Sequence, residues 1–115
     1  MERFYEMMNF AKSSDEAAVK TGIYASELTS GVIWVVKPGQ EVKCHAHPNA
    51  DDIWIVLKGK GIFHEELGKD REVKAGDMIV NPKNSCHGLT NNSNEDFVFV
   101  GILSPIPAEY KSLVD

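Results

Sequence analysis

A chain of 115 residues with 43% hydrophobic content is long enough to bury one core and too short for two. Its net charge of −5 comes from 17 acidic against 12 basic residues, and the basic ones never gather into a tract, which excludes the electrostatic footprint of a nucleic-acid or anionic-membrane binder. No stretch approaches the roughly 20 apolar residues of a membrane span, and MERFYEMMNF carries Glu and Arg where a secretory signal needs an apolar run, so a cytoplasmic protein is expected.

Residues 1–20 read as an arm. Phe4, Tyr5, Met7, Met8 and Phe10 make it apolar enough to pack against the body of the protein or a second subunit. Ser14 is placed to cap a short helical turn through Lys20, with Asp15 and Glu16 at the end where the helix dipole favours acidic groups. From about 21 to 104 the chain is a succession of short apolar runs: GVIWVV from Gly31, DIWIVL from Asp52, GIFHEE from Gly61, DMIV from Asp77 and DFVFVGIL from Asp96. Each has strand length, and none sustains helical spacing.

The punctuation between them is specific. KPGQ closes the first run, KGKG makes a tight reversal, ELGKD a hairpin loop and VNPKN a further turn. Many short antiparallel strands imply an all-β sandwich or barrel, with Trp34, Trp54, Phe63, Phe97 and Phe99 in its core. The tail 105–115 ends in PAEYKSLVD, expected to form a second short helical turn. With no repeat, linker or compositional break, 1–115 is one domain.

The chemistry concentrates in CHAHPNADD, from Cys44 to Asp52. Residues two apart on a strand share a face, so His45 and His47 aim together. Two imidazoles on one face grip a metal ion when another strand supplies a third ligand and a nearby loop a carboxylate. His87 and Asp52 are the candidates, and imidazole with carboxylate suits Mn, Fe, Co, Ni, Cu or Zn. Asp51 competes with Asp52, but parity separates them: if Asp52 points inward with Trp54 and Val56, Asp51 points away. His64 lies beside Glu65 on the outward face of its strand and is left out of the site.

Gly39, five residues, His45, one residue, His47, four residues, Asp52, six residues and Gly59 together resemble the first motif of the cupin superfamily. Gly76, five residues, Pro82, then Asn84, His87 and Asn91 resemble the second. The resemblance implies a small single-domain antiparallel jelly-roll barrel, commonly a homodimer. It also implies one divalent transition metal ion held inside by His45, His47, the residue at 52 and His87, with the two histidine strands side by side. Two positions depart from the family pattern. Asp52 stands where Glu is usual, which draws the carboxylate back by roughly 1.5 Å and leaves open a contact through water. Asn84 stands where Gly is frequent, and Asn tolerates the positive φ such a turn requires.

Cys44 and Cys86 each precede a proposed ligand, so alternation places both thiols on the opposite face of the sheet from the metal, where they read as buried reduced cysteines, with a cross-strand contact between them as the alternative if their strands are adjacent. The expected partner is a small-molecule substrate or ligand. The leading functional expectation is a metal-dependent enzyme of dioxygenase, isomerase, lyase or decarboxylase type. The other readings are a non-catalytic module that binds or senses a small ligand, and a barrel whose site is vestigial.

Overall fold

The computed structural model describes residues 1–66 and 68–114; Leu67, in the expected ELGKD loop, and Asp115 lie outside the described residues. The strands are β1 (Val19–Ala25), β2 (Ser30–Val36), β3 (Glu41–Ala46), β4 (Asp51–Lys58), β5 (Lys60–Glu66), β6 (Lys69–Lys74), β7 (Met78–Asn81), β8 (His87–Thr90), β9 (Phe97–Ser104) and β10 (Lys111–Ser112). They form two five-stranded antiparallel sheets, ordered β1-β2-β9-β4-β7 and β10-β3-β8-β5-β6. This is the all-β barrel that the strand-length runs and turns imply, in the jelly-roll form that the family resemblance implies.

The two sheets enclose a core of Val36, Val42, Trp54, Val56, Phe63, Val73, Leu89, Phe97 and Phe99. In β2 and β9 both faces are buried, so they read as continuous apolar runs instead of alternating ones. Their outward residues Ile33, Val35, Val98 and Val100 form a second cluster, on which Phe10 and Ala11 of the arm pack. Tyr5 stacks on Tyr24 and meets Phe10 edge-on, while Phe4, Met7 and Met8 remain exposed. β6 runs along an edge with Val73 as its one buried residue, and its charged side chains blunt an otherwise open ladder.

The two helical turns expected from sequence do not form where they were expected. Ser14 Oγ accepts from Glu16 N, which caps a bend, and the chain enters β1 at Val19. The helical segment that does form is a 3-10 turn over Met7–Phe10. The tail closes on the body as a strand, with β10 pairing Lys111 with Ala46 and Ser112 with His45. Gaining backbone partners at the open edge of β3 outweighs the weak helix preference of a sequence holding Pro107, Tyr110 and Ser112.

Motif residues that hold no ligand have structural work. Gly59 turns between β4 and β5 at φ +84°, where a Cβ would collide with the Asp96 carbonyl oxygen. Asn84 adopts the positive φ of 65° expected of it. Asn91 is fully buried: its Nδ2 donates to the carbonyls of Val36 and Glu95, and its Oδ1 accepts from Ser93 N and Oγ. Its backbone pairs with Gly39 and Gln40, fastening the turn that leads into β3.

Candidate metal centre

His45 is in β3, His47 directly follows it, His87 opens β8 and Asp52 lies near the start of β4. β3 and β8 are neighbours, with His45 and His87 in direct register. That close pairing requires Gly88, since a Cβ there would sit 3.0 Å from Cys44 backbone atoms. Asp52 reaches in from the opposite sheet, where β9 offers Gly101; a side chain there would press to 3.3 Å from Asp52 Oδ1. Asp52, Trp54 and Val56 point inward, as parity requires. Asp51 is exposed and accepts from Lys83 N.

One ligand atom from each of His45, His47, Asp52 and His87 lies within 4.8 Å of the other three, and all four residues are buried. The orientation of the rings follows from their other nitrogens. His45 Nδ1 donates to Lys43 O at 2.8 Å, His47 Nδ1 to Glu109 O at 2.8 Å and His87 Nδ1 to Ser85 O at 3.0 Å. Carbonyl oxygens only accept, so each Nδ1 carries a proton, and Nε2 is the nitrogen that offers a lone pair when the ring is neutral. Those lone pairs face a carboxylate: Asp52 Oδ2 lies 3.2 Å from His87 Nε2 and 3.5 Å from His47 Nε2. His87 Nε2 is out of hydrogen-bond alignment with it, and both this atom and Asp52 Oδ1 are buried without a hydrogen-bond partner. Three imidazole nitrogens and a carboxylate converging in a buried cluster are stabilised by positive charge among them. The donor set of three nitrogens and one oxygen therefore fits a divalent transition metal.

Burial lowers His45 to about 4, which keeps it neutral. His47 is raised, chiefly by its contact with Asp52 and against the opposing effect of burial. Burial would raise the Asp52 carboxyl, but the combined pull of His47 and His87 overrides it and holds the group at about 2.

A cavity of about 430 Å³ opens over the cluster. His45, His47 and Asp52 face it together with Lys20, Lys43, Trp34 and Tyr110, and His87 lies deeper at 1% exposure. Lys20 holds its ammonium 5.8 Å over the Trp34 ring, and Tyr110 stacks on His45 with ring centroids 5.3 Å apart. The tail that carries Tyr110 is fixed by Asn49, whose Nδ2 donates to Pro107 O and whose Oδ1 accepts from Glu109 N. Sequence reasoning missed Tyr110 and the orienting Glu109 carbonyl, because neither stands in a motif and backbone acceptors have no sequence signature. His64 is outside the cluster as expected, but it bonds Asp70 and Thr90 instead of lying free beside Glu65.

The cysteines require a correction. They lie away from the ligand cluster, but instead of remaining reduced, Cys44 and Cys86 are joined as a disulfide with Cα atoms 5.8 Å apart. The expectation of reduced thiols rests on a reducing compartment, whereas the pairing of β3 with β8 brings the two cysteines within bridging distance.

Together these features define a double-sheet barrel with a histidine-rich centre inside one end. A family model described as a cupin domain matches residues 32–103, and the chain belongs to the cupin family. Among solved structures it is similar to an uncharacterised protein with a double-stranded β-helix domain from Klebsiella pneumoniae, at 26% identity over all of both chains with a TM-score of 0.94. It shares the fold of a predicted oxalate decarboxylase from Thermotoga maritima, with a TM-score of 0.71 and 24% identity over 77% of this chain and 81% of that one. An oxalate-binding protein from Thermotoga maritima is 35% identical over 66 residues, 57% of this chain. The chain spans about half the length of that curated relative, 54%.

Proposed function

We propose that this protein is a metal-dependent small cupin acting on a small organic acid. His45, His47, His87 and Asp52 hold one divalent transition metal ion, and the cavity above receives a substrate that chelates it. The supporting observation is the convergence of three lone-pair-bearing Nε2 atoms on one buried carboxylate, each imidazole oriented through its Nδ1 by a backbone carbonyl. When bound, such an ion supplies a Lewis-acid or dioxygen-binding position, the chemistry of isomerases, lyases, decarboxylases and dioxygenases.

The chain's own residues favour an anionic ligand. Lys20 and Lys43 outnumber Glu41 at the cavity, and Asp52 is engaged by the cluster. Lys20, poised over the indole of Trp34, is positioned to meet a carboxylate, and the Tyr110 ring forms one wall of the entrance. The oxalate-binding relative supports the same ligand class. Its name also favours a second reading, a non-catalytic module that binds a small carboxylate on the same barrel.

The working unit we propose is a homodimer. Ile53 pairs with Val80 and Ile55 with Met78 on the outward side of the first sheet, and Val80 and Met78 are 59% and 64% exposed. The face continues through Ile102 into the cluster already capped by the arm, which suits a second copy.

The test is metal analysis of protein purified without added metal, followed by calorimetry and oxygen uptake with oxalate and other small carboxylates. Stoichiometric metal with turnover supports the enzyme, and metal with carboxylate binding but no turnover supports the binding module. Absence of metal binding rejects both.

A further inference from the structure

Cys44 and Cys86 immediately precede His45 and His87, and their disulfide ties β3 to the entry of β8, the two strands whose histidines stand opposite each other with ring centroids 4.2 Å apart. We propose that this pair is a thiol–disulfide exchange site that sets how tightly the centre holds its metal, an inference that rests on the metal reading above.

Three observations converge on this coupling. The first is position: the bridge lies next to two of the four ligand positions on linked strands, with a Cα separation inside the range a disulfide spans. The second is need. The β3–β8 ladder is irregular between Val42 and His45, so hydrogen bonds alone hold the stretch leading to His45 less firmly than a regular ladder would. Cys44 O accepts from Leu113 N, so the bridge also anchors the point where the tail joins β3, three residues beyond the Tyr110 that stacks on His45.

The third is access. Cys44 is buried at 7% exposure, whereas Cys86 is half-buried and lines an open groove of about 610 Å³ with Ser85, Asn81, Val73 and Ile79. The groove offers an approach for a small thiol on the Cys86 side of the bridge. In the balanced reaction the thiolate attacks Cys86 sulfur, forming a mixed disulfide and releasing Cys44 as a thiol after protonation. A second thiol attacks the mixed disulfide and leaves Cys86 as a thiol. Two low-molecular-weight thiols such as glutathione give two electrons and two protons to the protein and depart as their own disulfide.

Reduction removes the covalent tie while leaving all four ligand side chains in place. Loss of such an outer support costs roughly 10- to 100-fold in metal affinity. A disulfide in a chain expected in the cytoplasm is of the kind that cycles with the thiol pool.

The experiment compares full-length protein oxidised with glutathione disulfide and reduced with a phosphine, each freed of reagent, with free thiols counted by mass after alkylation. Cobalt(II) affinity is then measured by absorbance, and the fold of each form by circular dichroism. The expected result is two thiols gained on reduction, an unchanged fold and a cobalt dissociation constant about tenfold or more higher. In the Cys44→Ser/Cys86→Ser variant the affinity stays at the weak value under both treatments. Equal affinity in the two forms overturns the coupling while leaving the metal centre intact. Tighter binding on reduction with an intense sulfur-to-cobalt band overturns it by making the thiols ligands. Failure to gain two thiols overturns the exchange site, and absence of cobalt binding in both forms overturns the metal reading and this proposal with it.

Discussion

Replacing Asn91 with Ala separates architecture from chemistry within one motif. The side chain is fully buried and makes four hydrogen bonds: two donated to the carbonyls of Val36 and Glu95, two accepted from Ser93. Each intramolecular bond contributes about 1 kcal/mol net, and a buried group left unsatisfied costs about 1–3 kcal/mol. The Val36 carbonyl loses its side-chain partner in a buried place, whereas Ser93 is half-buried and regains part of its loss from water. The expected cost is therefore about 3–4 kcal/mol, a large part of the roughly 5–15 kcal/mol that stabilises a domain. Urea unfolding of metal-free wild type and variant, followed by tryptophan fluorescence, measures it. The folded variant is expected to keep its metal affinity, since Asn91 is outside the ligand cluster. A loss below about 1 kcal/mol refutes the hydrogen-bond reasoning.

Three further outcomes follow. His47→Ala is expected to abolish metal binding by calorimetry with the barrel still folded by circular dichroism, and Asp52→Ala to weaken binding less; unfolding of the His47 variant counts against its role as a ligand. Without metal, stability is expected to rise with pH as Asp52 ionises between about 2 and its unfolded 3.8, and again between about 4 and 6.5, where the unfolded chain protonates His45 and the folded one does not. Each contributes roughly 2–3.5 kcal/mol. Stability then declines above 6.5 as pH rises through the elevated His47 value, so a stability curve that climbs steadily from 6.5 to 8 contradicts this assignment. For the outer face, Met78→Lys/Val80→Lys is expected to convert a dimer to a monomer by light scattering, and a monomeric wild type removes that proposal.

The barrel was legible in the sequence because period-two alternation is a local property, and the gathering of His45, His47, Asp52 and His87 because their spacing also resembles the cupin motifs. Asp52 points inward with Trp54 and Val56 while Asp51 faces out, the choice that parity together with the motif spacing to Gly59 favours. What escaped depends on backbone partners distant in sequence. β6 showed only as the far arm of the ELGKD hairpin because KDREVK buries only Val73, and β10 was hidden because a two-residue strand is defined by the β3 edge it meets, not by its own side chains. The cysteine pairing escaped because two thiols without a spacing motif read as reduced in a chain expected in the cytoplasm, and the β3–β8 adjacency that joins them is a long-range pairing.

The central claim is that these four side chains share one metal ion, and X-ray absorption at the edge of the metal in fully loaded protein tests it most directly. The account predicts a shell of nitrogen and oxygen near 2.0–2.2 Å with the multiple scattering of three imidazoles. A sulfur shell near 2.3 Å, or fewer than two imidazoles, would contradict it.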